Sequence, residues 1–249
     1  MKITSTKDLS SGRFVAVVVG KSGIGKTSLA KTLPDHKRVL IISAESGLLC
    51  LQDTEIDVIT VDKTAPFKKP KDAKDNGTYS MTEIYLNLMK DEYKKKYDYV
   101  FIDSLTEIAE LILTDLKNDP VIIASKNGYE IWNKYSERMT HLIKGFRDIQ
   151  PYSVIFTCLP DSEKDGLELV ETFKLPMAGL RSSLGAWFDL VLKYETYTHE
   201  EKKIRKLITD ATINPLAKDR SGKLKPYENA DLTAIINKLS GVKNETVNA

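Results

Sequence analysis

Gly20-Lys21-Ser22-Gly23-Ile24-Gly25-Lys26-Thr27 satisfies every fixed position of a G-x-x-x-x-G-K-[ST] phosphate-binding loop. The apolar, β-branched run Phe14-Val15-Ala16-Val17-Val18-Val19 precedes it and reads as a buried strand. Thr27-Ser28-Leu29-Ala30-Lys31-Thr32-Leu33 follows it and predicts a helix closed by Pro34. Strand, glycine loop and helix are the context that gives the motif chemical meaning. Glycines let consecutive N–H groups converge on phosphate oxygens, and a helix N-terminus adds favourable electrostatics. On this reading Gly20 through Ser28 hold the phosphates of a nucleotide. Lys26 neutralises the β- and γ-phosphates, and the Thr27 hydroxyl is a ligand of Mg2+.

The chain has 249 residues, enough for one α/β domain with a sizeable core. Its net charge of +2 is too small to announce a nucleic-acid partner, so any basic surface must be local. Cys50 and Cys158 lack CxxC spacing and read as buried, reduced thiols; His36, His141 and His199 show no metal-ligand spacing. The N-terminal residues lack the apolar core of a signal peptide, and no apolar run is long enough to span a membrane. The expected location is the cytoplasm.

Beyond the loop, Arg38 to Ser43 predicts a second buried strand that delivers Glu45 to its carboxyl end. Ligands of open α/β sheets gather there, and a carboxylate in that place can orient or deprotonate an attacking water. Asp57 to Val61 reads as another strand, followed over 61–80 by a long lysine-rich surface loop. Ser80-Met81-Thr82-Glu83 is a capping-box pattern that opens a helix ending at Lys94-Lys95-Lys96. Tyr99-Val100-Phe101-Ile102-Asp103 is an apolar strand ending in aspartate, the Walker B arrangement, which makes Asp103 a second Mg2+ ligand. Ser104-Leu105-Thr106-Glu107 repeats the capping pattern. A later helix carries the stripe Ile131, Trp132, Tyr135, Met139, Leu142, Ile143 and Phe146.

Tyr152 to Cys158 predicts an inner strand, and 159–181 reads as a second long surface loop. Lys164, Phe173, Lys174 and Arg181 in that loop suit a single nucleic-acid strand, by phosphate contact and stacking, although Asp161, Glu163, Asp165, Glu168 and Glu171 share it. Ala186–Tyr194 and Lys203–Thr209 predict late antiparallel edge strands. Lys218-Asp219-Arg220 sets two cations one residue apart in a turn, a last helix holds Leu232, Ile235, Ile236 and Leu239, and 240–249 reads as a flexible tail.

The order of these motifs resembles the core of the RecA-like P-loop ATPases. It is most similar to compact phage-type nucleotide-binding proteins of that superfamily, including single-strand-annealing recombinases that keep only the ATPase core. The resemblance covers roughly residues 12 to 239 and implies one domain over 1–239 with a mostly parallel central sheet flanked by helices. It implies ATP and Mg2+ as cofactors, Glu45 as the residue that activates water, and Lys218 and Arg220 as cations inserted into a neighbouring subunit's site, so that hydrolysis depends on self-association. It further implies single-stranded DNA as partner, met by the loop 159–181. Two departures stand out. The inner strand ends Phe156-Thr157-Cys158-Leu159, without the family's polar γ-phosphate sensor unless Thr157 takes that place, and no polymerisation segment is evident before Gly12.

The function expected from this resemblance is slow ATP hydrolysis in DNA recombination, with binding and annealing of single strands. One alternative is a nucleotide-switched adaptor or loader that acts on a protein. The other is a small-molecule kinase, for which no arginine-rich lid is evident.

Overall fold

A computed structural model describes residues 12–70, 76–125, 127–165 and 168–241. The expectations for the N-terminal residues before Gly12, for Lys71 to Lys74, for Gly166 and for most of the tail lie outside them. The strands in chain order are β1 (Val15–Val19), β2 (Val39–Ser43), β3 (Asp57–Thr60), β4 (Tyr99–Asp103), β5 (Ser153–Cys158), β6 (Pro160–Asp165), β7 (Glu168–Phe173), β8 (Leu190–His199), β9 (Lys202–Ile208), β10 (Lys218–Asp219) and β11 (Tyr227–Asn229). The α-helices are α1 (Met81–Leu88), α2 (Asp91–Lys96), α3 (Leu105–Lys117), α4 (Pro120–Ser125), α5 (Gly128–Asp148), α6 (Ala178–Leu184) and α7 (Leu232–Ser240).

One sheet runs β11-β9-β8-β1-β5-β4-β2-β3, with β10 also paired to β8. From β3 to β8 every pairing is parallel, and β9, β10 and β11 are antiparallel additions. This is the mostly parallel sheet with late antiparallel strands that the sequence predicts, with one correction. β8 is not an edge strand, because it pairs in parallel with β1 as well as with β9. It begins at Leu190 rather than Ala186, since Gly185–Trp187 form a turn of 3-10 helix.

Strand alternation divides the core into two layers. Val15, Val17 and Val19 of β1 face the layer built by α1, α3, α5 and α6. Ala16 and Val18 face the layer of Leu29, Ala30, Leu51, Leu232 and Ile235. The stripe of α5 buries as predicted at Tyr135, Met139, Leu142, Ile143 and Phe146, while Trp132 sits at its exposed margin. The single helix expected from Ser80 to Lys96 is two helices, broken where Lys90 turns extended.

The segment 159–181 is not a long loop. It is the β6–β7 hairpin followed by α6, which places Thr172, Phe173, Leu175 and Leu180 in the core. The helix after the phosphate loop is 3-10 throughout, over Thr27–Thr32, and stops where Leu33 is driven extended by Pro34. Its far end is sealed by α7: the Leu232 amide donates to Thr32 Oγ1 at 2.8 Å, and the Thr233 hydroxyl donates to the Thr32 carbonyl.

Candidate nucleotide-binding site

The parallel register carries the carboxyl ends of β1, β2, β4 and β5 to one edge of the sheet, and the chemistry-bearing residues gather there. β1 feeds directly into Gly20, whose amide donates to the Cys158 carbonyl at 3.2 Å, so the loop is moored to β5. Gly23 (φ +76°) and Gly25 (φ +104°) take backbone conformations that side chains disfavour, which is why glycine stands there. Lys21 and Ser22 are exposed on the loop, Ile24 and Ser28 are half-buried, and Lys26 is buried. Lys26 Nζ donates to the carbonyls of Gly20 (2.8 Å) and Lys21 (3.1 Å), pulling its charge back across the mouth of the loop. Burial holds the Lys26 amine below the usual lysine range, against the opposing pull of Glu45 and Asp103.

At the end of β4, Asp103 is almost fully buried and accepts two hydroxyl hydrogen bonds. Thr27 Oγ1 donates to Oδ2 at 2.6 Å and the Thr157 hydroxyl donates to Oδ1. The fully buried Thr157 therefore orients Asp103 and does not face outward as a sensor. Glu45 is exposed at the end of β2, where its amide and that of Ala44 donate to the Asp103 carbonyl and its carboxylate accepts from the Ser104 hydroxyl. Ser104 Oγ also accepts from the Glu107 amide, so one hydroxyl caps α3 and aims Glu45. The capping pattern read at Ser104 is thus a cap whose proton serves the site.

Thr27 and Asp103 are hard oxygen donors in contact, the kind of partial ligand set that suits Mg2+, which keeps water and phosphate oxygens in the rest of its shell. Among the described residues no cluster of three or more His, Cys, Asp or Glu forms a closed metal cage.

Other predicted residues lie elsewhere. Lys218 and Arg220 sit near the amino ends of β1 and β8, since Lys218 pairs with Val191 and Asp219 with Leu190, whereas the loop emerges beside Lys193. Within one chain they are at the edge of the sheet opposite the loop. Lys218 Nζ donates to the carbonyls of Gly185 and Phe188, and burial lowers its pKa. The exposed Arg220 pairs with Asp189 at 3.0 Å and donates to the Ala186 carbonyl. Phe173 is buried and has no free face for stacking on a base. Arg181 is held by the Leu175 carbonyl and by Asp161 and Glu163, which leaves Lys164 and Lys174 as the exposed cations of that group.

The family model described as an AAA domain matches residues 13–221. No curated protein matches the sequence. Among solved structures, the flagellar accessory protein FlaH of Methanocaldococcus jannaschii aligns at 13% identity over 86% of this chain and 83% of its own, with a TM-score of 0.40.

Proposed function

The chain belongs to that AAA-domain family of P-loop ATPases, and on this premise we propose a Mg2+-dependent ATPase that hydrolyses ATP slowly in DNA recombination, binding and annealing single strands. The observation that carries the ATPase part is the convergence of Lys26, Thr27, Asp103 and Glu45 on one edge of the sheet. Catalysis in such a site is positioning and charge neutralisation. Lys26 turns from the loop carbonyls to the β- and γ-phosphates. Glu45, aimed by Ser104, orients the attacking water and takes its proton. Thr27 and Asp103 hold Mg2+, which when bound offsets charge on the phosphate oxygens.

Support for a single-stranded DNA partner comes from the resemblance together with the position of the β6–β7 hairpin. It leaves β5 one residue beyond Cys158, the residue that moors the loop, and exposes Lys164 and Lys174. The neighbour's contribution falls to Arg220, which is exposed on the edge opposite the loop. A head-to-tail assembly brings that edge of one copy onto the loop of the next. Lys218, engaged by two carbonyls, supports the turn that presents it.

One observation favours the adaptor reading. Val121, Ile123 and Tyr129 on α4 and α5 are 71%, 62% and 81% exposed, apolar surface of the kind a protein partner covers. Filter binding of labelled single-stranded oligonucleotide at low salt, with and without ATP, decides between the two. Retention that ATP changes, and that the Lys26→Ala variant no longer changes, is expected. No retention at any salt concentration would leave the protein-partner reading.

A further inference from the structure

The β8–β9 ribbon overhangs the phosphate loop. Tyr194, Thr196 and Thr198 alternate onto one face of β8, and across from them stand Leu207, Arg205 and Lys203 of β9. The inner end of this face is core: Tyr194 and Leu207 are buried with Leu29 and Ala30 of the 3-10 helix. Followed outward past the core, the same face meets the loop itself. Gly23, Ile24, Thr196, Thr198, Lys203 and Arg205 line a common open cleft.

Arg205 makes the nearest approach. A Cβ placed on Gly25 would stand 3.1 Å from Arg205 Nη1 and 3.7 Å from the Tyr194 hydroxyl. The guanidinium thus lies over the glycine that precedes Lys26. Tyr194 pairs with it, and Arg205 offsets part of the rise that burial gives the phenol. Arg205 is exposed, and among the described residues no carboxylate forms an ion pair with it. An arginine unmatched by any carboxylate among the described residues, held by a tyrosine over a phosphate-binding loop, has the fork geometry that recognises phosphate oxygens.

We infer that Arg205 is a phosphate-binding residue of this chain's own nucleotide site, a second cation beside Lys26 that grips the polyphosphate from the β9 side. The inference rests on the reading that the loop binds ATP. Its consequence is that each chain holds the nucleotide with two cations before any neighbour docks.

The test is fluorescence anisotropy with an ATP analogue labelled on the ribose, together with displacement by tripolyphosphate, which has no base or sugar. Wild type, Arg205→Ala, Arg205→Lys and Lys26→Ala are compared, with thermal unfolding as the check on folding. Arg205→Ala is expected to weaken both the analogue and tripolyphosphate by about tenfold to a hundredfold, the scale of a lost charge-assisted hydrogen bond. Arg205→Lys recovers part of the loss, and the unfolding temperature is unchanged. If Arg205→Ala binds both ligands as wild type does while Lys26→Ala loses them, the inference is overturned and nucleotide binding stands. If wild type binds neither, the nucleotide reading falls and Arg205 with it.

Discussion

Asp62 shows at the scale of one residue how the segment before α1 is fixed. Its carboxylate accepts from the Thr64 amide (2.8 Å), the Thr64 hydroxyl (2.7 Å), the Ala65 amide (3.0 Å) and the Thr78 hydroxyl (2.9 Å), and Lys69 Nζ lies 3.1 Å away. Burial raises its pKa, but these donors outweigh that and hold it well below the usual carboxylate range. A depressed folded pKa contributes stability that is fully present above the unfolded value of about 3.9 and is lost as pH falls through the folded one. Asp62→Asn is therefore expected to cost on the order of 1–3 kcal/mol at neutral pH, with the gap from wild type narrowing below about pH 4. Urea unfolding midpoints at pH 7 and pH 3 measure it, and an equal gap at both would refute the account. Cys158 gives a second prediction at this scale. Burial pushes its thiol up to about 11, whereas Cys50, against expectation, is only half-buried, so a maleimide at pH 8 should label Cys50 and spare Cys158 until the protein unfolds. Mass spectrometry of the labelled peptides reads this directly. The phosphate loop was legible because its requirements are local: glycines for backbone shape, then one lysine and one threonine. Arg205 was not, since in Lys202-Lys203-Ile204-Arg205-Lys206 nothing local says which face meets the loop. That is set by the pairing of β8 with β1, across some 170 residues of chain.

Among the elements, the helix cap at Ser80 was read correctly because a capping box is a four-residue pattern. Ser80 accepts from the Glu83 amide, and Glu83 accepts from the Ser80 amide in return. Ser80→Ala should cost about 1 kcal/mol in thermal or urea unfolding, with more lost than by an exposed Ser→Ala elsewhere. The β6–β7 hairpin was misread for a physical reason. A two-stranded ribbon buries little of its own, so its charged residues hid the short β-branched alternation of Val170 and Thr172 after Gly166. What anchors it is an ion pair invisible to any local pattern. Lys193 of β8 is 2% exposed and donates to Glu171 of β7, whose other oxygen accepts from Asn214 at 2.9 Å. Removing Glu171 strands a buried ammonium, so Glu171→Ala should destabilise by about 3 kcal/mol, with Glu195 at 3.8 Å giving only partial relief. Adding Lys193→Met should recover most of that loss, and additive effects in the double variant would show that the pair is not the anchor.

At the scale of the whole molecule, the loop and Arg220 lie on opposite edges of one sheet, so any action of Arg220 on ATP requires a second copy. Arg220→Ala should lower ATP turnover severalfold while leaving nucleotide affinity nearly intact, as removal of a group that acts in the transition state does. Mixing Arg220→Ala with Lys26→Ala should restore part of the turnover, because some mixed interfaces pair an intact loop with an intact arginine. No restoration at any ratio would confine Arg220 to its own chain, where Asp189 already holds it. The bond between Thr32 and Leu232 carries one more consequence. It joins residues 200 positions apart, and it closes the end of the 3-10 helix on which Lys26 and Thr27 depend. A chain emerging from the ribosome makes its phosphate loop some 200 residues before α7, yet completes that loop's support only when α7 arrives. Nucleotide affinity should therefore be acquired only once α7 has been made and has docked, and not when the loop itself appears.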